Sequence, residues 1–223
     1  MGKTAVIAGA TGLVGWELLH LLAESNRYER TIVFARRKTG ISHKKVTEVI
    51  TDLNGLEEHK HYFSAADVFC CLGTTIKKAK TKENFRQVDH HYPVVMSHIA
   101  ADQGAHSFQV ISALGADMES RFFYSRVKGE MERDVAKEGV PLIGIFRPSL
   151  LTGEREEFRA GERAADWIAG RLSFLFKGGL KKYRPVKASS VAAAMFEFAQ
   201  KEKTGVHLIS SEEMNESSYS LNK

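Results

Sequence analysis

A doubly wound α/β fold, with a mostly parallel sheet covered by helices on both faces, is predicted by three features of the sequence. Strand-like and helix-like segments alternate along most of the chain. Runs such as "VFCCL" are apolar without a break, the pattern of strands buried on both sides. The first strand-like run also leads through a glycine-rich turn directly into a helix-like segment.

In chain order, "TAVIA" (4–8) is the first strand, "TIVFA" (31–35) the second and "VTEVI" (46–50) the third. "DVFCCL" (67–72), "SFQVI" (107–111) and "LIGIF" (142–146) follow, and "GVHLIS" is a final candidate. Helices are predicted at 13–24, 83–103, 121–137, 162–175 and 189–200, where apolar residues recur at three- and four-residue intervals. After "GIFRPS" the pattern loosens, so residues 151–187 read as a small substrate-side segment and the polar stretch 211–223 as a flexible tail. No repeat or low-complexity linker interrupts the 223 residues, which predicts a single domain over residues 1–223, large enough for one sizeable core.

Composition excludes several classes of function. With 43% hydrophobic and 26% charged residues the chain is neither disordered nor fibrous. The net charge of +5 is spread among 27 acids with no nucleic-acid motif, so it suggests a diffuse field attracting an anionic cofactor or substrate. No stretch reaches the ~18 to 20 apolar residues of a membrane span, and no signal peptide precedes the first strand, so a cytoplasmic protein is expected. Cys70 and Cys71 are adjacent, and on a strand they point to opposite faces, which argues against a disulfide. The nine histidines show no metal-ligand spacing, so no metal is expected. The lysines of "TIKKAKTK" read as a solvated loop, with the gating of an anionic substrate as the sharper option. In "ADWIAGRLSFLF", Trp167, Ile168, Leu172, Leu175 and Phe176 make an apolar face suited to core packing, a lid or a subunit contact.

The turn "AGATGLVG" carries Gly9, Gly12 and Gly15 in a GxxGxxG spacing. Gly9 lets the chain turn sharply, Gly12 lets backbone approach a pyrophosphate, and Gly15 lets the helix pack against the strand. The helix N-terminus supplies unpaired N–H donors for phosphate. Arg36 and Arg37 follow the second strand, where a carboxylate would favour NAD. Arginine there suits a 2′-phosphate, so NADP(H) is the expected cofactor, NADPH in preference to NADH. Asp52 and Leu53 follow the third strand and can reach an adenine; Gly73 and Thr74 follow the fourth.

In "YSRVKGE", Tyr124 and Lys128 lie on one side of a helix, beside an apolar stripe of Phe123, Val127, Met131 and Val135. A nearby ammonium lowers a phenol's pKa, so the pair suits proton transfer, and the lysine can also hold ribose hydroxyls. Ser112, at the end of the fifth strand, can donate to a carbonyl oxygen. A helical Tyr/Lys pair alone is more often structural; the serine and the glycine turn at the same sheet edge favour catalysis.

Together "GATGLVG", Ser112 and "YSRVK" resemble the short-chain dehydrogenase/reductase superfamily in its atypical or extended branch. "ARRK", "FCCLGTT", "VDHHY", "YSRVKGE" and "FRPSLL" narrow the resemblance to the oxidoreductase family of the Tat-interacting protein, from about residue 3 to beyond residue 195. The resemblance implies a Rossmann-like fold with Gly9, Thr11, Gly12, Leu13, Val14 and Gly15 at the pyrophosphate, and Arg36 and Arg37 at the adenosine phosphate. It further implies Leu72, Gly73 and Thr74 at the inner ribose, and Ser112, Tyr124 and Lys128 as the catalytic trio. Arg147, Pro148 and Ser149 would border the nicotinamide. The superfamily often carries an asparagine before the fifth strand; here "QVDHHY" has Asp89.

The reading that follows is an NADP(H)-dependent oxidoreductase acting on a carbonyl or alcohol of an unidentified small molecule. Two alternatives stay open: a non-catalytic NADPH-binding regulatory or redox-sensing protein, and a nucleotide-sugar epimerase or dehydratase. Neither nucleic acid nor membrane is expected as a partner; a homodimer or a protein partner is left open.

Overall fold

The computed structural model describes residues 2–153 and 184–217. Its sheet contains β1 (Lys3–Ala8), β2 (Tyr28–Ala35), β3 (Val46–Ile50), β4 (Ala66–Cys70), β5 (Ser107–Ile111), β6 (Leu142–Arg147) and β9 (Gly205–Ser210). These seven strands lie in the order β3-β2-β1-β4-β5-β6-β9, every pair parallel. A two-residue pairing joins β7 (Leu151–Thr152) to β8 (Val186–Lys187). The order grows one way from β1 to β3 and then returns to β1's other side with β4. The reversal opens a crevice between β1 and β4 at the carboxyl edge, where ligands of such sheets bind.

Both faces of the sheet are covered. On one face α1 (Leu13–Glu24) and α6 (Ala188–Phe198) bury Leu18, Leu19, Leu22, Val191 and Met195 against Ala5, Ile7, Val33 and Phe69. On the other, a 3₁₀ segment (Leu56–Phe63), α4 (Tyr92–Asp102) and α5 (Phe123–Val135) bury Phe63, Met96, Ile99, Met131 and Val135 against Val6, Ala8, Phe34, Val68 and Val110. The alternation of faces along β1 is the period of two that a pleated strand imposes. Cys70 packs into one face and Cys71 against the other, both as free thiols.

The helices differ from expectation in instructive places. The predicted helix over 83–103 is α3 (Lys82–Arg86), a π-helical turn (Gln87–His91) and α4, with a proline in the first turn of α4. The helix predicted over 121–137 begins at Phe123, because Phe122 is extended and its N–H bonds the Ser120 hydroxyl at 3.2 Å. "TIKKAKTK" is not simply a loop. Thr75 caps the short α2 (Ile76–Ala79) by accepting from the Lys78 amide at 3.2 Å, and Thr81 caps α3 by accepting from the Asn84 amide at 3.1 Å.

Residues 211–217 are not a loose tail but α7 (Ser211–Ser217). Ser210 and Glu213 form a reciprocal cap: the Glu213 amide donates to the Ser210 hydroxyl at 3.3 Å, and the Ser210 amide donates to the Glu213 carboxylate at 2.8 Å. Met214 is fully buried. The predicted helix 162–175, its apolar face, and residues 218–223 lie outside the described residues.

At the amino edge, away from the crevice, Asp67 ties four strands together. Its carboxylate accepts from the Tyr28 hydroxyl at 2.9 Å and the Ser107 hydroxyl at 2.7 Å, and pairs with Lys3 at 3.4 Å. Gln200 donates to the Tyr28 oxygen at 2.7 Å, and burial, followed by the Asp67 charge, pushes the Tyr28 phenol far above its usual range. Asp67→Ala orphans these groups and should cost about 2–3 kcal/mol in chemical denaturation.

Candidate active site

The β1–α1 turn is built by close contact. Gly9 has φ +84°, and a Cβ there would sit 2.4 Å from the Cys71 carbonyl oxygen. A Cβ on Gly15 would sit 2.2 Å from the Gly9 oxygen, so both glycines let backbone meet backbone. Gly12 differs: its virtual Cβ meets only the Gly9 oxygen, at 3.3 Å, and otherwise faces open space. No side chain caps α1 and no acid lies in its first turn, so its leading amides are free to receive an anion. Thr11 is exposed, Leu13 is partly buried and Val14 is buried, so Val14 offers a ligand only its backbone.

Arg36 and Arg37 follow the carboxyl end of β2; both are exposed and form no ion pair with another described residue. Asp52 is turned onto its own loop, accepting from the Asn54 amide at 3.0 Å and side chain at 3.2 Å. Leu53 has φ +70° and its side chain is buried in the core. The adenine end is therefore reachable by the backbone of this turn more readily than by the Leu53 side chain.

Beyond β4, Leu72 is partly buried, Gly73 is exposed, and the Thr74 amide donates to Asp89 Oδ2 at 2.8 Å. Asp89, on the π-helical turn, is 1% exposed. Its other oxygen, Oδ1, pairs with Lys128 Nζ at 2.9 Å, and that ammonium also donates to the Ile111 carbonyl at 3.2 Å. The bond to Ile111 brings Lys128 beside Ser112, the next residue. Lys128 is itself 3% exposed, so both charges of the pair are buried. Burial alone would push the lysine's pKa down; Asp89, then Tyr124, outweigh it and the ammonium is held above its usual range.

The predicted apolar stripe of α5 is present, with Val127, Met131 and Val135 buried. Tyr124 stands one row over, its ring 5.7 Å from Phe85 of α3. It keeps 41% of its surface exposed. Lys128 does lower the phenol's pKa, as the spacing predicts, but the net fall expected from it does not follow. Desolvation raises it, Lys128 lowers it and Asp89 raises it again, leaving it above its ordinary value of about 10. The sequence drew attention to the ammonium; the carboxylate that offsets it comes from another element.

Ser112 is 4% exposed, and its hydroxyl has no hydrogen-bond partner among the described residues. Its amide is fixed by the Phe146 carbonyl at 2.7 Å. A buried hydroxyl without a partner at the carboxyl edge of a sheet is available to a ligand oxygen. Farther along, Arg147 turns its guanidinium onto Glu132 of α5 in a two-pronged pair. The Pro148 carbonyl accepts from Leu114 at 3.0 Å, the Ser149 amide donates to Ser211 at 2.8 Å, and the Ser149 hydroxyl donates to the Arg184 carbonyl at 2.5 Å. The charge of Arg147 therefore braces β6 against α5, and the Pro148–Ser149 backbone braces the edge of the crevice. Among the described residues no cluster of His, Cys, Asp and Glu could hold a metal.

Sequence reasoning read Asp89 as a departure from pattern and missed its link to Lys128. The only local signal was its position in "QVDHHY", because the partner lies on α5. The same interface carries Arg86–Glu130 at 2.6 Å and a His90–Asp134 contact at 3.0 Å, so the run through α3 and the π-helical turn is matched to α5 by two ion pairs and a histidine–carboxylate hydrogen bond.

Comparison with known proteins agrees with this geometry. Residues 4–103 match the family described as semialdehyde dehydrogenase, NAD binding domain. Protein HTATIP2 of Rattus norvegicus is 34% identical over 174 residues, which is 76% of this chain and 70% of that protein. The chain belongs to the Tat-interacting-protein-like family of atypical short-chain dehydrogenases/reductases. Other members include protein FMP52, mitochondrial, of Candida albicans, 33% identical over 87% of each chain. Among solved structures, MoeE5 in complex with UDP-glucose and NAD superposes with a TM-score of 0.68 at 17% identity, covering 96% of this chain and 79% of that one. The Bordetella bronchiseptica enzyme WbmG in complex with NAD gives 0.70 at 14% identity, covering 94% and 73%. At such identities these likenesses establish the Rossmann-like fold, and the family establishes a pyridine-nucleotide-binding domain.

The two glycine environments predict separable effects. Gly15→Ala drives a Cβ into the Gly9 carbonyl and should cost about 1–3 kcal/mol, seen as a lower melting temperature. Gly12→Ala should melt within a few degrees of the parent yet bind NADPH at least about tenfold more weakly in calorimetry, since its Cβ enters the space over the α1 amides.

Proposed function

We propose that this family member is an NADP(H)-dependent oxidoreductase acting on a carbonyl or alcohol carbon of a small molecule. The observation that carries the proposal is the buried Ser112 hydroxyl, without a partner among the described residues and set beside Lys128 at the carboxyl edge of the sheet, with Tyr124 one helical turn before that lysine. The residues present suit a dinucleotide: uncapped amides at α1, an open position over Gly12, and two exposed arginines after β2. Arg36 and Arg37, with no carboxylate at that strand end, favour the 2′-phosphate of NADP(H).

A bound reduced nicotinamide supplies hydride. Ser112 donates a hydrogen bond to the substrate oxygen and holds it near Tyr124. Tyr124, protonated across the neutral range because its pKa is raised, delivers the proton to that oxygen. Lys128 uses two N–H groups on Asp89 and Ile111 and directs its remaining donor capacity to a ribose hydroxyl.

A second reading, chemistry on a nucleotide sugar, draws on the fold shared with MoeE5 and WbmG. It requires tightly retained NAD+, which mass spectrometry of the purified protein detects. The fungal relatives are named as mitochondrial, whereas we place this chain in the cytoplasm, whose reducing conditions suit its two free thiols.

Two measurements test the main reading. Tyr124→Phe should lower carbonyl-dependent NADPH oxidation by at least about a hundredfold while NADPH affinity stays within a few-fold. Arg36→Ala with Arg37→Ala should weaken NADPH binding by about tenfold or more and leave NADH nearly unchanged. Unaltered turnover in the first, or equal losses for both coenzymes in the second, removes the residue concerned from its role.

A further inference from the structure

The buried Asp89–Lys128 pair carries a consequence for the protonation of Tyr124. A neutral asparagine at this position could bond the lysine but could not cancel its charge. A carboxylate does both, and both partners are buried: Asp89 is 1% and Lys128 3% exposed, with 2.9 Å between Oδ1 and Nζ. The second carboxylate oxygen is held by the Thr74 amide at 2.8 Å. One side chain thus connects the loop after β4, on the presumed cofactor side, to the helix that bears Tyr124.

We propose that Asp89 is a positioning residue that pins Lys128 and offsets its charge, so that Tyr124 is held in the protonated form that donates to the carbonyl oxygen in the reductive step. This deepens the function proposed above and rests on it. The balanced step is the transfer of hydride from NADPH to the carbonyl carbon, with the C=O π electrons becoming an O–H bond to the proton released by Tyr124. Products are NADP+ and an alcohol, and the phenolate recovers its proton from solvent. The reverse reaction needs Tyr124 as phenolate, a form that a neutralised lysine stabilises less than a free one does.

Among the described residues, the charged and titratable groups around this centre are few. Cys70 faces it from the end of β4, with a thiol that burial pushes up to about 12. Lys128 and Tyr124 come from α5 and Asp89 from the π-helical turn. Lys82 of α3 lies over the Phe123 ring at 5.4 Å, while Arg86–Glu130 and His90–Asp134 are already paired along the same interface. Asp89 and Lys128 therefore dominate the field at Tyr124, with opposite signs: the carboxylate raises the phenol's pKa and the ammonium lowers it.

The test is a spectroscopic titration of Tyr124 by phenolate absorbance, isolated by subtracting the spectrum of a Tyr124→Phe counterpart from that of each protein. It needs neither coenzyme nor substrate, so it can fail while hydride transfer stands, and hydride transfer can fail while it succeeds. Asp89→Asn should lower the Tyr124 midpoint by about one unit or more, Lys128→Met should raise it, and the double variant should return close to the parent. Midpoints unmoved in both single variants, or moved in the same direction, overturn the proposal. Should Asp89→Asn fail to fold, the step from Lys128→Met to the double variant decides: a lower midpoint in the double variant supports the proposal, and an equal or higher one overturns it.

Discussion

The arrangement at the crevice depends on one buried ion pair, Lys128 with Asp89. Removing two charges from water costs several kcal/mol per ion, and attraction recovers this only where the remaining hydrogen-bonding capacity is also satisfied. Here the Thr74 amide and the Ile111 carbonyl do so, one on each partner. Such a pair contributes little net stability compared with well-packed apolar groups. It does fix geometry, because a lysine in any other rotamer would leave a bare carboxylate in the core. Three segments are registered by it: the loop after β4, the π-helical turn, and α5.

The π-helical turn is what allows Asp89 to take part. In a regular helix each residue advances about 100° around the axis, and an inserted residue rotates everything after it relative to what came before. Gln87–His91 makes that adjustment between α3, whose Phe85 packs under α5, and α4, whose Met96 and Ile99 pack on the sheet. Two packing surfaces that a single straight helix would have to serve in one phase are served in two. Between them the turn presents Asp89 inward and His90 to Asp134.

The site also shows why paired motifs mislead when read as pairs. Tyr124 and Lys128 share a helix, so their proximity was legible from spacing, and a lowered phenol pKa followed from the lysine alone. The structure adds Asp89 and partial desolvation of the phenol, and the direction reverses. Arg147 is similar: at the end of β6 it is in place for a ligand, but Glu132, one turn beyond Lys128 on α5, engages its guanidinium. Ser112 is the opposite case, a residue whose predicted availability is matched by a hydroxyl without a partner among the described residues.

By itself the sequence determined the strand-helix alternation, the parallel sheet, the glycine turn and the α5 stripe, because each rests on periodicity or on the steric demands of neighbouring residues. It also held the Ser210–Glu213 cap that makes α7 a helix, a signal four residues long and easily lost in a polar tail. What only the tertiary structure decided is which polar groups meet: Asp89 with Lys128, Glu132 with Arg147, Asp67 with Tyr28 and Ser107. These partners are brought together by strand order and helix packing, and electrostatic energy depends on through-space distance and burial, neither of which local sequence spacing encodes.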